Sequence, residues 1–268
     1  MSASASAAAR RPTALITGAS SGIGYELAKQ FARDGYQLVI VATNVQRLHE
    51  VAAELTSAYG VAVKVLPKDL SRPESADDIY QELQREAIQI DVLVNNAGYA
   101  MHGRFDATDC KTELQMMHVN MVALTQLTKL LLPSMLTRKH GKILNVASTA
   151  AFQPGPFMAV YYATKAYVLS FSEALAEELH GTGVTVTALC PGITRTGFQA
   201  RAGIQRTHLV RSGMMSPASV ADAGYRGLMR GRIVVIPGLK NQLTAVAVRM
   251  IPRSLVRRAV RVLQERAE

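Results

Sequence analysis

The sequence predicts a doubly wound parallel α/β sheet of about seven strands with helices on both faces. Three observations carry that prediction. From Thr13 onward, short apolar, β-branched runs alternate with longer stretches of helical period, the order expected when crossover helices join parallel strands. Several runs are continuously apolar, as Val39-Ile40-Val41 and Val92-Leu93-Val94 are, which suits strands buried on both faces. A glycine-rich turn directly follows the first run.

Strands are expected at Ala14–Thr17, Gln37–Ala42, Ala62–Leu66, Val92–Val94, Lys142–Ala147, Val184–Leu189 and Ile233–Ile236. Between them, Tyr25–Arg33, Arg47–Tyr59, Pro73–Ala87, Thr112–Leu136 and Ala163–His180 place apolar residues on one helical face and polar residues opposite. No Pro/Ser/Gly-rich linker divides the middle of the 268 residues, and an apolar fraction of 49% with 19% charged suits one globular domain. The expected organisation is a disordered tail at 1–12, a catalytic domain at 13–238 and a basic amphipathic helical extension at 239–268. Met1–Ala9 is Ser/Ala-rich and lacks the basic and apolar regions of a secretory signal, so a cytoplasmic protein is expected. Cys110 and Cys190 stand far apart and the six histidines show no ligand spacing. Buried, unpaired cysteines and a metal-free site follow.

After the first strand comes Thr17-Gly18-Ala19-Ser20-Ser21-Gly22-Ile23-Gly24, and a helix begins at once. Glycines let the backbone turn tightly and approach phosphates, while the helix N-terminus offers unpaired N–H groups and a positive dipole end. This segment resembles the cofactor motif of the short-chain dehydrogenase/reductase family, whose domain is a Rossmann-type fold. Other segments match the same pattern: Asn95-Asn96-Ala97-Gly98 after the fourth strand, Asp69-Leu70 after the third, and Cys190-Pro191-Gly192-Ile193-Thr194-Arg195-Thr196 after the sixth. The resemblance implies that Gly18, Ser20, Ser21, Gly22, Ile23, Gly24, Asp69, Leu70, Asn96, Ala97, Gly98, Pro191, Gly192, Ile193 and Thr196 bind a nicotinamide cofactor.

The end of the second strand discriminates between the two nicotinamide cofactors, because an acid there holds the ribose hydroxyls and repels a 2′-phosphate. Here Ala42-Thr43-Asn44 offers no acid, so NADP is favoured over NAD. Thr43 and Asn44 are the expected contacts, and Arg47, one helical turn on, is either a phosphate ligand or a solvated helix residue.

Tyr161 and Lys165 stand at i and i+4 and so share one helix face. A free phenol titrates near 10, and a neighbouring cation lowers that value. The sequence therefore predicts a phenol activated by its lysine. Ser148 ends the fifth strand, 13 residues before Tyr161, where open α/β sheets place ligands. A hydroxyl there can donate to a substrate oxygen as charge develops, while Tyr161 moves the proton. Tyr162 competes for that role but fits neither spacing. The resemblance adds that Lys165 also holds the nicotinamide ribose, alongside Tyr161, and that Asn120 supports a water-linked proton path to the lysine.

Gly197–Met215 has no firm period and is read as a mobile lid or a surface excursion, and Phe152, Phe157, Met158 and Phe198 as an apolar pocket wall. The expected reaction interconverts a carbonyl and a secondary alcohol, most simply by NADPH-dependent reduction of a hydrophobic ketone or 3-oxoacyl substrate. The alternative is a catalytically silent, nucleotide-sensing protein of the same fold. The net charge of +10 is concentrated in Arg226–Glu268, with nine Arg and one Lys against two Glu. A local excess without a recognition motif does not suggest nucleic-acid binding. Between Leu239 and Arg266 it reads instead as a basic amphipathic helix, too charged to span a bilayer, that packs on the domain, meets a second subunit or lies on an anionic membrane. Family analogy points to a homodimer or homotetramer.

Overall fold

The computed structural model describes residues 10–205, 207–211 and 213–265. Seven strands, β1 (Thr13–Thr17), β2 (Gln37–Ala42), β3 (Val63–Pro67), β4 (Val92–Asn95), β5 (Gly141–Val146), β6 (Val184–Leu189) and β7 (Val234–Val235), form one sheet in the order β3-β2-β1-β4-β5-β6-β7. Every pairing is parallel. The chain winds outward from β1 through β2 to β3, then returns to β4 and winds the other way. Crossovers therefore diverge between β1 and β4, and the carboxyl ends of these strands border a crevice.

Each strand explains why both faces must be covered. Ala14 and Ile16 point into one core with α1 (Gly22–Arg33), α2 (Val45–Tyr59) and α9 (Pro217–Met229), where Leu27, Phe31, Leu48 and Leu228 are fully buried. Leu15 points into the other, beneath α3 (Ser75–Arg85) and the long helix opening with α4 (Cys110–Met117) and closing with α5 (Ala123–Thr137). The final turns of α6 (Ala159–Glu178) complete that layer through Leu175. Burying one such aliphatic side chain is worth roughly 1.5–3 kcal/mol before entropy is counted. Cys110–Thr137 is long and apolar enough to cross a bilayer, yet its Met116, Leu127, Leu131 and Met135 lie in the core of the domain.

Several expectations need correction. The helix foreseen from Thr112 to Leu136 starts at Cys110 and is interrupted by a π turn at His118–Val122, a local widening that no hydrophobic period announces. Cys190 is buried, but Cys110 is exposed at the helix start. Within the expected tail, Arg10 and Pro12 already contact the domain. Arg10 forms a two-pronged ion pair with buried Asp91 at 2.6 and 2.8 Å, and Pro12 accepts a backbone bond from Gln37. Residues 1–9 of that tail lie outside the described residues.

The extension is two helices, α10 (Leu239–Met250) and α11 (Arg253–Gln264). Proline disfavours the helical conformation at the residue before it, and Ile251 is extended at φ −91°, ψ 139°, ahead of Pro252. The Gly197–Met215 excursion holds two short helices, α7 (Phe198–Ala202) and α8 (His208–Arg211), and returns to the body where Thr194 bridges Met215.

Candidate active site

A cleft of about 400 Å³ opens at the carboxyl ends of the strands. Its floor at one end is the turn from β1 into α1. Gly18 has φ +67°, and a side chain there would strike the Asn96 amide at 2.7 Å. A Cβ on Gly24 would lie 2.3 Å from the Gly18 carbonyl, so only glycine lets α1 pack this closely on the turn. Gly24 shapes the loop from behind, while Gly18, Ser20, Ser21, Gly22 and Ile23 line the cleft. The α1 N-terminus has no side-chain cap and no acid in its first turn. Its free N–H groups and positive dipole end suit a pyrophosphate.

Asn96 latches this loop to β4. Its amide donates to the carbonyls of Thr17 (2.9 Å) and Gly18 (3.2 Å), and the Thr17 hydroxyl accepts the backbone N–H of both Asn96 and Ala97 at 3.0 Å. Behind it, a fully buried polar chain that the sequence reading missed joins Asn95 to Asn145 (2.9 Å) and Asn145 to Ser172 (2.9 Å). Unpaired, those amides would each cost about 1–3 kcal/mol. Paired, they fix the ends of β4 and β5 at the site.

Along the cleft, Thr43, Asp69, Leu70, Ala97 and Gly98 line one wall and Pro191, Gly192, Ile193 and Thr196 the other. Asn44 does not line it. The Asn44 side chain instead accepts the Arg47 N–H at 2.9 Å and caps α2, the usual task of Asn before a helix. Arg47 also lies outside the lining, but its Nε donates to the Ser20 carbonyl at 3.4 Å and its guanidinium sits 5.5 Å from the Tyr25 ring. It is thus held against the glycine loop, and its outer nitrogen pairs with Glu50 at 3.1 Å. Lys68, unforeseen, lines the same end and pairs with Asp78 at 2.7 Å.

Ser148, Tyr161 and Lys165 converge at the middle of the cleft. Ser148 begins a short 3-10 turn, Thr149–Phe152, and accepts the Ala150 N–H at 3.1 Å, which fixes its hydroxyl at the mouth of β5. Tyr161 and Lys165 lie on the first turns of α6, both buried. Lys165 Nζ donates to the Val146 carbonyl at 2.8 Å and lies 5.9 Å from the Tyr161 ring centroid. The expected lowering of the phenol by its lysine is not what this arrangement gives. Burial dominates and pushes the Tyr161 phenol above its ordinary value, only partly offset by the Ser148 hydroxyl. The same burial pushes the Lys165 ammonium down to about 8, since both charged forms lose water.

Asn120 sits in the π turn, behind the cleft. Its amide donates to the Tyr99 carbonyl (3.0 Å) and the Thr164 hydroxyl (3.1 Å), and its oxygen accepts the Tyr99 N–H (3.2 Å). It makes no direct bond to Lys165. A methyl on Gly98 would touch Asn120 Oδ1 at 2.9 Å and Lys165 Nζ at 3.5 Å, so these two groups flank the same glycine.

Apolar residues line the far end beside Gln199 and Arg201, but not the ones foreseen. Met158 and Phe198 line it, joined by Ile204, whereas Phe152 lies beneath Arg249 and Phe157 faces a separate surface cleft. The extension closes this end. Val256 and Val260 of α11 pack with Met158, Tyr162 and Ile204, and Gln264 enters the cleft to donate to the Tyr162 hydroxyl at 2.7 Å. Tyr162, the rival phenol, is thereby committed to a structural bond. No local signal links Gln264 to Tyr162, about a hundred residues earlier, so sequence reasoning could not find that contact.

Comparison with known proteins agrees with this geometry. The model of the short chain dehydrogenase family matches residues 12–207. The chain is 34% identical over 242 residues to the ketoacyl reductase HetN of Nostoc sp., covering 90% of this chain and 79% of that one. It is 38% identical over 184 residues to a very-long-chain 3-oxoacyl-CoA reductase of Anas platyrhynchos, of which it spans only 58%. Among solved structures, a short-chain dehydrogenase from Sphingobium yanoikuyae in complex with NADPH superposes with TM-score 0.81 at 38% identity, over 89% of this chain and 93% of that one. The bulky-bulky ketone specific alcohol dehydrogenase of Comamonas testosteroni gives TM-score 0.75 at 31% identity, over 91% and 96%. A match of this extent means that the chain belongs to the short-chain dehydrogenase family, oxidoreductases of the alcohol–carbonyl pair.

Proposed function

We propose that this protein is an NADP-dependent reductase that converts a hydrophobic ketone or 3-oxoacyl substrate to its secondary alcohol. One observation carries the reading: Ser148, Tyr161 and Lys165 meet in a single cleft that runs from the capless α1 N-terminus to an apolar end at Met158, Phe198 and Ile204. When bound, the nicotinamide supplies hydride. The protein's own residues do the rest. The Ser148 hydroxyl donates to the substrate oxygen, stabilising the negative charge that develops there. Tyr161, kept protonated by its burial, delivers its proton to that oxygen. Lys165 is held by the Val146 carbonyl, where it orients the ribose and returns a proton to the phenol. Asn120 holds the Tyr99 backbone and Thr164 in place beside Lys165, at the inner end of the proton path. The absence of an acid after β2 and the anchored Arg47 favour a 2′-phosphate.

Absorbance of the reduced nicotinamide, followed with NADPH and NADH against ketones, aldehydes and 3-oxoacyl thioesters, tests the reading. Turnover of hydrophobic members with NADPH supports it, whereas tight NADPH binding without turnover of any member favours the silent sensor. Arg47→Ala should raise the KM for NADPH by roughly three- to tenfold, the effect of about 1 kcal/mol at a partly exposed charge, and leave that for NADH unchanged. An unchanged NADPH value would remove Arg47 from the site.

The same proposal includes a cytoplasmic location and a homodimer or homotetramer. Val122 is exposed beside Thr125, whose hydroxyl lies 2.8 Å from that of Tyr167 on α6. These residues give α5 and α6 a mixed apolar face suited to a second copy.

A further inference from the structure

The two C-terminal helices each have a face that the fold uses and a face that it leaves outside. On α10, Ala245 is buried and Asn241 lies against Gly192, while Leu239, Leu243, Val246 and Met250 are 71, 62, 64 and 82% exposed. These four recur at i, i+4, i+7 and i+11 and so form one stripe. On α11 the buried stripe is Val256, Val260 and Gln264, and Leu255 and Val262 stand out at 52 and 58% exposure. Ile251, 43% exposed, lies between the two helices, at the break before Pro252. Scattered surface apolar residues need no explanation, but aligned ones do.

Charge decides what covers them. Leu239–Gln264 carries six basic side chains, Lys240, Arg249, Arg253, Arg257, Arg258 and Arg261, and no acid. Arg261 pairs with Glu265 and Arg249 lies over Phe152. Among the described residues, Arg253, Arg257 and Arg258 have no acidic partner. A second copy meeting this surface would bring arginines onto arginines with no carboxylate from either helix to compensate. A nucleic acid would satisfy the arginines and leave the leucines against phosphate. An anionic bilayer surface satisfies both, taking the apolar stripe below the headgroups and the arginines among them.

We propose that α10 and α11 form a peripheral docking surface for an anionic lipid membrane. It is independent of the reductase reading, because it is measured without turnover. The full chain is floated with vesicles of phosphatidylcholine alone or mixed with phosphatidylglycerol, at low and high salt. It should float with the mixed vesicles, less at high salt, and scarcely with neutral ones. L243D/M250D should reduce binding at least tenfold, and R257Q/R258Q by roughly tenfold or more. These side chains are exposed, so both variants should melt as the parent does and elute at the same size. No flotation with anionic vesicles overturns the proposal, as does flotation insensitive to L243D/M250D. Loss of a larger assembly in L243D/M250D, without vesicle binding by the parent, assigns the surface to a second copy.

Discussion

Tyr161→Phe should lower kcat by about a thousandfold or more while leaving NADPH affinity within a factor of two. The phenyl ring keeps its packing against Phe198 and Tyr162, at centroid distances of 5.5 and 6.0 Å, so only the hydroxyl is lost. General acid catalysis by one positioned group is worth roughly 10²–10⁴ in rate, and removal of the group that delivers the proton to the substrate oxygen belongs at the upper end. Tyr162→Phe is the control. It loses the bond from Gln264 and should retain most turnover, with any change in KM confined to the substrate. Comparison of kcat and of the dissociation constant for NADPH in both variants decides between the two phenols. Full activity in Tyr161→Phe would end the proposed mechanism.

Lys165→Met should abolish turnover and yet melt higher than the parent at neutral pH. The Lys165 ammonium is buried, its one hydrogen bond among the described residues is to the Val146 carbonyl, and burial lowers it from an ordinary 10.5 to about 8. The unfolded chain holds that proton more tightly than the folded one, so folding is penalised below pH 8 and recovers as pH rises from about 8 to 10.5. A shift of this size corresponds to at most about 3 kcal/mol, from which the lost hydrogen bond subtracts about 1–2. Methionine carries no proton to lose. The variant should therefore exceed the parent by roughly 1–2 kcal/mol at pH 7, and the difference should shrink and reverse sign toward pH 10.5. Denaturant unfolding of both proteins across that range measures it. A variant less stable than the parent at pH 7 would show that the Val146 bond outweighs the burial of charge.

Much of the domain was legible because its signals are local. Strands buried on both faces are rich in apolar and β-branched residues, and β2 and β6 run over the same residues in the structure as in the sequence reading. The site segments were legible for a related reason. A phosphate-binding turn needs glycine at fixed places, and a proton-transfer pair on a helix needs i, i+4 spacing. Where one local role can replace another, the sequence leaves the choice open: Asn44 fits a ribose contact and a helix cap equally well, and in the structure it caps α2. Phe152 and Phe157 are as apolar as Phe198, and only the path of the loop after β5 turns them away from the cleft.

Sequence by itself determined the parallel sheet and the glycine turn, since each follows from periodicity or spacing over a few residues, and the family resemblance singled out Ser148, Tyr161 and Lys165, which the fold brings to one cleft. Only the tertiary structure decided the direction of the Tyr161 shift, because desolvation depends on how much protein surrounds the phenol and not on which residue lies four positions along. It also decided that Gln264 of the basic extension walls the cleft, a contact between chain segments that no period connects. What remains outside that contact, the exposed apolar residues of α10 and α11 and the arginines of α11, is visible as a surface only once the buried stripe of the same helices has been identified.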